Sequence, residues 1–356
     1  MKDLGPLIPV KKSRRLGGTF RFGKSVLLAS SHSSDALGLK QLAADLAALG
    51  VSARVKIGKS RPPDADVYVR RTKRIKDPQA YEMTVKAGGI EVRAFWAPGA
   101  YYGIQTLRDL LAVHGRTLPA TRIEDWPDFR RRGVYHDCSR GKVPTLKTLF
   151  GLIERLAHWK INELQLYIEN TFRYRSHPAI GVGYSPFTAA DITRIQEHCK
   201  KHHVRLVGSL ASFGHMEKIL CLPEYAPLCE QPADLRTDHT GDLCPTDPGS
   251  IKLLRDLYEE FLPLLEARDF NACCDETRQI GKGRSRRRAE RIGVGRVYLE
   301  FVLKIHKLCR KLGKRLNIWG DIILAHPELI PEIPKDIVML NWAYHARNER
   351  LLRTGE

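Results

Sequence analysis

No apolar run in the 356 residues approaches the roughly 20 needed to cross a bilayer. The start, Met1-Lys2-Asp3-Leu4-Gly5-Pro6, lacks the charged stretch followed by an apolar segment that marks a secretory leader. None of the eight cysteines forms a Cys-x-x-Cys pair, so the spacing argues against a zinc site. Cys273 and Cys274 are neighbours and cannot easily bridge each other. The thiols read as reduced, small apolar fillers, which predicts a cytoplasmic protein. No His-x-His occurs. A metal-dependent barrel hydrolase, with His136, Asp137, His215 and Asp275 as ligands, therefore has weak support. Acidic residues are scarce: 40 Asp and Glu stand against 59 Lys and Arg, a net charge of +19. The basic runs at 11–15, 70–74, 130–132 and 284–288 are scattered, and no aromatic residues interleave them as in a base-stacking platform. They predict a solvated basic surface without a nucleic-acid or membrane partner.

What is present suffices for a large fold. Apolar residues make up 43% of the chain, and its length suggests two domains. Residues 1–122 read as a small α+β unit. Strands are expected at Ser25–Ala29, Val51–Ile57, Ala65–Val69, Tyr81–Lys86 and Gly89–Ala94. Amphipathic helices are expected at Ala36–Leu49 and from Ala100. Pro119 to Pro127 reads as a linker. Residues 123–356 alternate strictly between apolar strand-like runs and helical patterns, which predicts a parallel α/β sheet. Six such runs begin near Gly133, Ile161, Val204, Phe270, Arg315 and Ile337.

The run Phe270–Cys274 leads directly into Asp275 and Glu276. Successive strand side chains point to opposite faces, but at a frayed strand end two neighbours can reach one pocket. Two acids that close have different proton affinities, the arrangement acid/base chemistry uses. An ordinary surface Asp-Glu turn is the alternative. Polar residues recur after each run: His136, Asp137 and Arg140; Glu169 and Asn170; Ser212 and His215; Asp275 and Glu276; Trp319 and Asp321; Trp342 and Tyr344. Placement at the carboxyl ends of successive strands is that of a (β/α)8 barrel's catalytic face.

Taken together, these residues resemble glycoside hydrolase family 20, the β-N-acetylhexosaminidases. The likeness rests on the first strand, Arg132-Gly133-Val134-Tyr135-His136-Asp137, on Gly214-His215, on Asp275-Glu276, and on the helix Tyr101-Tyr102-Gly103-Ile104-Gln105-Thr106-Leu107 of the preceding domain. The resemblance implies a TIM-type barrel behind a small α+β domain. It implies exo-acting hydrolysis of terminal N-acetylhexosamines without a cofactor, the substrate's own acetamido group serving as nucleophile. Asp275 would steady that group and Glu276 would act as acid, then base. Arg132 would hold sugar hydroxyls, His215 would stand by the acid/base carboxylate, and Trp319 and Trp342 would wall the pocket with Asp321 alongside. Glu169 would take the role of an acidic residue on the second strand. Asp137 is assigned to the substrate, or alternatively to holding Arg140 or Arg132. A catalytically silent carbohydrate-binding relative is the competing function.

Two departures stand out. Arg278 occupies a position where relatives carry Trp. Six strands are counted where the family has eight, so a Tyr and a Trp of the last strands have no counterpart. The expectation is a fragment of a longer protein, or a barrel whose gap is otherwise covered, with poor activity in isolation. Sugar preference and oligomeric state are open.

Overall fold

The computed structural model describes residues 8–58, 60–234 and 241–344. The chain divides into two compact units. One holds residues up to Arg132 together with Glu154–Asn162. The other holds Gly133–Ile153 and the chain from Glu163 onward.

The first unit is built on a seven-stranded mixed sheet. Its strands are β1 (Lys12–Arg21), β2 (Ser25–Ser30), β3 (Ser52–Ile57), β4 (Val67–Arg71), β5 (Tyr81–Lys86), β6 (Gly89–Ala94) and β7 (Thr117–Asp125). Their spatial order is β1-β7-β5-β6-β4-β2-β3. Helices α1 (Ala36–Ala48) and α2 (Ala97–His114) pack against it. Leu39, Leu42 and Leu46 of α1 and Ile104, Leu107 and Leu111 of α2 are buried at helical spacing. Met83, Val85 and Val92 are buried beneath them, alternating with more exposed residues on the other side of the sheet.

Two expectations change here. The supposed linker at Pro119–Pro127 is largely strand: β7 lies between β1 and β5. Pro119 is tolerated because it pairs only with Thr19 of β1, whereas pairing with β5 begins at Thr121. The boundary expected at residue 122 thus falls inside a strand.

The second unit carries β8 (Gly133–Asp137), β9 (Glu163–Ile168), β10 (Arg205–Leu210), β11 (Asp269–Asn271), β12 (Arg315–Trp319) and β13 (Val338–Leu340). Every pairing among them is parallel and follows chain order. A doubly wound sheet reverses its strand order part-way. This sheet does not, so it has the winding of a TIM-type barrel over six strands. Helices α3 (Leu146–His158), α4 (Ala189–Lys201), α6 (Pro248–Phe261) and α8 (Val294–Lys311) supply the crossovers. Short helices α5 (Glu217–Leu220), α7 (Arg286–Ile292) and α9 (Asp321–Ala325) sit in the connections. Thr188 starts α4 with a reciprocal capping box to Asp191. Thr145 Oγ1 accepts from the Thr148 amide and starts α3. Leu164, Leu166, Leu206, Phe270, Leu316 and Ile318 share one face of the sheet by register, and all are buried. Among the described residues, no helix is long and apolar enough to cross a membrane.

Candidate active site

At the carboxyl end of the six-stranded sheet lies a cavity of about 240 Å³, lined by Tyr135, Arg140, Tyr167, His215, Asp275, Glu276, Trp319 and the segment Trp342–Tyr344. The strand that delivers the two acids is shorter than its sequence suggests. It ends at Asn271, and Cys273, Cys274 and Glu276 take left-handed φ values of 60°, 63° and 47°. Non-glycine residues in that region are strained, and surrounding contacts must hold them there.

Those contacts are explicit. Asn271 Oδ1 accepts from the Cys273 amide at 2.9 Å. The Cys273 carbonyl accepts from the Trp319 amide at 2.9 Å. The Cys274 carbonyl accepts from the buried Tyr298 hydroxyl at 2.9 Å. The Glu276 amide donates to Asp321 Oδ2 at 3.0 Å. The clamped, left-handed turn brings both acids to one cavity although they are adjacent in sequence.

His215, itself at φ 57°, faces the pair. Its Nε2 stands 3.5 Å from Asp275 Oδ2 and 3.4 Å from Glu276 Oε2. Burial alone would depress the imidazole's pKa, but the bond and charge of Asp275, with Glu217 and Glu276 behind, raise it above its ordinary value. On the other side, Arg278 donates to Glu276 Oε1 at 2.9 Å.

The walls are aromatic. Tyr135 meets Trp319 edge-on, with centroids 5.3 Å apart, and Tyr167 at 5.6 Å. Trp342 and Tyr344 pair at 5.4 Å. The Tyr135 hydroxyl shares a hydrogen bond with Ser209 Oγ at 3.0 Å, and burial raises its pKa. The Arg140 guanidinium lies 5.3 Å above the Tyr167 ring. Flat hydrophobic faces beside charged forks and carboxylates suit a sugar ring with its hydroxyls.

Residues 129–355 match the glycosyl hydrolase family 20 catalytic domain. The chain belongs to that family. Residues 6–126 match glycosyl hydrolase family 20, domain 2. Among related sequences, the N,N'-diacetylchitobiase of Vibrio harveyi is 32% identical over 97 residues, 27% of this chain and 11% of that protein. The beta-N-acetylhexosaminidase of Cellulomonas fimi is 34% identical over 104 residues, 28% of this chain and 20% of that protein. The solved chitobiase of Flavobacterium johnsoniae superposes with a TM-score of 0.81 at 20% identity, over 95% of this chain and 54% of that one. This chain therefore spans about half of that family 20 structure, and the likeness concerns the fold.

Of the family 20 site residues expected from sequence, Asp275, Glu276, His215, Trp319 and Trp342 line the cavity. Asp321 lies behind the lining and clamps the Glu276 amide, and burial raises its pKa. Glu169 is buried: Oε1 accepts from the Tyr167 hydroxyl at 3.0 Å, and Oε2 pairs with Lys218 at 2.7 Å. Asp137 also stays behind the lining and holds Arg140, the alternative already noted for it.

Arg132 requires correction. It precedes β8, whose five residues put it about 16 Å of strand from the carboxyl end. Its guanidinium is committed to the carbonyls of Lys160 and Phe129. Arg140, three residues beyond Asp137, is the arginine at the cavity. His136 lies outside the lining, and Asp137 is spent on Arg140, so the four proposed metal ligands do not converge. Tyr135 and Tyr167 were not singled out from sequence, because a strand tyrosine reads as core. Lys218 carried no signal.

Proposed function

We propose that the site removes terminal N-acetylhexosamine residues from glycosides, exo-fashion, by substrate-assisted catalysis with retention. The observation that carries this is one cavity holding Asp275, Glu276 and His215 between tryptophan and tyrosine walls. The relatives named as chitobiase and β-N-acetylhexosaminidase support the substrate class.

In this mechanism the substrate's acetamido oxygen attacks the anomeric carbon as the bond to the leaving oxygen breaks. Glu276 gives its proton to that oxygen. Asp275 accepts the amide N–H and offsets the positive charge that develops there. Glu276 then takes a proton from water, which opens the cyclic intermediate and restores the acetamido group. Arg140 holds ring hydroxyls with its planar fork, Trp319 and Trp342 pack on the sugar and its methyl, and the chain's own groups suffice without a cofactor.

The test is hydrolysis of an aryl N-acetyl-β-glucosaminide. Glu276→Gln should lower kcat/KM by about 100-fold or more, and the matching glucoside without the acetamido group should be refused. Equal turnover of that glucoside would remove substrate assistance from consideration.

One observation favours the silent-relative reading. Arg278 ties up Glu276 Oε1, one of the two oxygens that acid catalysis would use. Binding of N-acetylglucosamine with no turnover, and turnover gained in Arg278→Ala, would support that reading. The eight unbridged thiols, seven of them buried, support a reducing compartment such as the cytoplasm.

A further inference from the structure

Most of the net charge of +19 is carried by the residues up to Arg132. Within that unit, Arg14, Lys86, Arg93 and Arg122 stand by register on one face of the seven-stranded sheet. A depression of about 480 Å³ there is lined by Arg14, Arg61, Lys86, Arg93 and Arg122, with Thr84 and the Gly88-Gly89 turn between them. The sole acid in its lining, Glu91, already binds Arg70 at 2.7 Å and Arg93 at 2.5 Å.

Two features set this face apart from a solvated salt-bridge lattice. Arg14 of β1 stands directly opposite Arg122 of β7, an arrangement of like charges that costs a sheet stability. Arg122 relieves part of it through Glu124 at 3.0 Å. Among the described residues, Arg14, Arg61 and Lys86 have no carboxylate partner. Arg61 lies instead over the Tyr68 ring, at 5.6 Å. Lys86 follows Thr84 by two residues on β5, and Thr84 is the register partner of Arg122. Arg14, Arg122 and Lys86 thus share one face of three adjacent strands.

We propose that this face binds an anionic polysaccharide, a chain bearing sulfate or carboxylate groups. Guanidinium forks meet such groups in two parallel hydrogen bonds, and Thr84 and the glycine turn leave room for hydroxyls. The choice of a carbohydrate over another polyanion rests partly on the hydrolase reading above. The lining also contains no aromatic ring on which a nucleobase would stack, and its apolar members are only Leu16 and Ile90, too little for insertion into a lipid layer.

The experiment measures binding of the full chain to immobilised heparin and polygalacturonate, beside single-stranded and duplex DNA of matched charge. Arg14→Gln/Lys86→Gln, which breaks no ion pair, and the same variant with Arg122→Gln should weaken polysaccharide binding by about tenfold or more at fixed salt. Lys201→Gln/Lys307→Gln/Lys311→Gln, on the second unit, should stay within about twofold. Equal loss in that control, or DNA binding as tight as the polysaccharides, overturns the proposal. Aryl-glycoside turnover reads the other site separately: binding that survives in Glu276→Gln, with turnover lost there and kept in the face variants, separates the two functions. Binding lost from the face variants in a protein without any turnover would sink the hydrolase reading and leave this surface standing.

Discussion

Asp137 Oδ2 accepts a hydrogen bond from Arg140 Nε at 2.6 Å, while its other oxygen takes the amides of Ser139 and Arg140 at 2.9 and 3.0 Å. One carboxylate therefore fixes both the turn after β8 and the direction of the guanidinium at the cavity. Asp137→Ala should raise KM for an aryl N-acetylglucosaminide by about tenfold, with kcat changed far less. Asp137→Asn keeps an acceptor for the amides and should fall between. Arg140→Lys, which loses the planar fork, should cost at least as much as Asp137→Ala. Steady-state kinetics across the three variants checks the ordering.

Gly214 offers a separate handle. A Cβ there would lie 2.4 Å from the Asp275 carbonyl oxygen, which belongs to rigid backbone. Gly214→Ala should lower stability by about 1–3 kcal/mol and move the acids enough to reduce turnover by about 100-fold. Gly151→Ala on α3, with nothing near the added carbon, should be neutral or stabilising by up to about 1 kcal/mol. Thermal melts and a single rate assay compare the two.

His215 has its pKa raised by the carboxylates it faces. The stabilisation from its charged form is complete below its ordinary value of about 6.5 and is lost as pH rises through the raised folded value. Relative to His215→Gln, the protein should gain more in melting temperature near about pH 6 than near about pH 9. A gap independent of pH would mean the imidazole is neutral in the folded site.

Asp242 loses stability in the same direction for a different reason. Burial, with the charge of Glu230 nearby and against the amides of Gln279 and Ile280, raises its pKa to about 7. The folded state holds this proton where the unfolded chain has released it, so stability falls as pH rises from about 4 to about 7. Asp242→Asn should flatten that decline and gain on the order of a few kcal/mol at about pH 8. Its carbonyl can still accept from the Gln279 amide, which reaches Asp242 Oδ2 at 2.7 Å. Melting curves across this range measure it.

The barrel strands were legible because each is an apolar run between helices of clear 3.6-residue period, as at β9 and β10. β1 was not: Lys12–Arg21 is nearly all exposed and is a strand only because β7 pairs with it, through an irregularity between Arg15 and Thr19. Asp275 and Glu276 were legible as a pair after a strand. The left-handed turn that aims them was not, since cysteine and glutamate do not advertise positive φ as glycine does. Arg140 stands after the first strand in the sequence, but the resemblance gave the sugar hydroxyls to Arg132, which precedes that strand.

The turn from Asn271 to Glu276 also limits how this family member can change its chain length. Four of its backbone groups answer fixed partners: Asn271 at its own start, Trp319, Tyr298 and Asp321. Losing or gaining one residue there would shift every later group by one position and turn one acid out of the cavity. The turn is thus fixed in residue count and in the side chains that clamp it, Asn271, Tyr298 and Asp321.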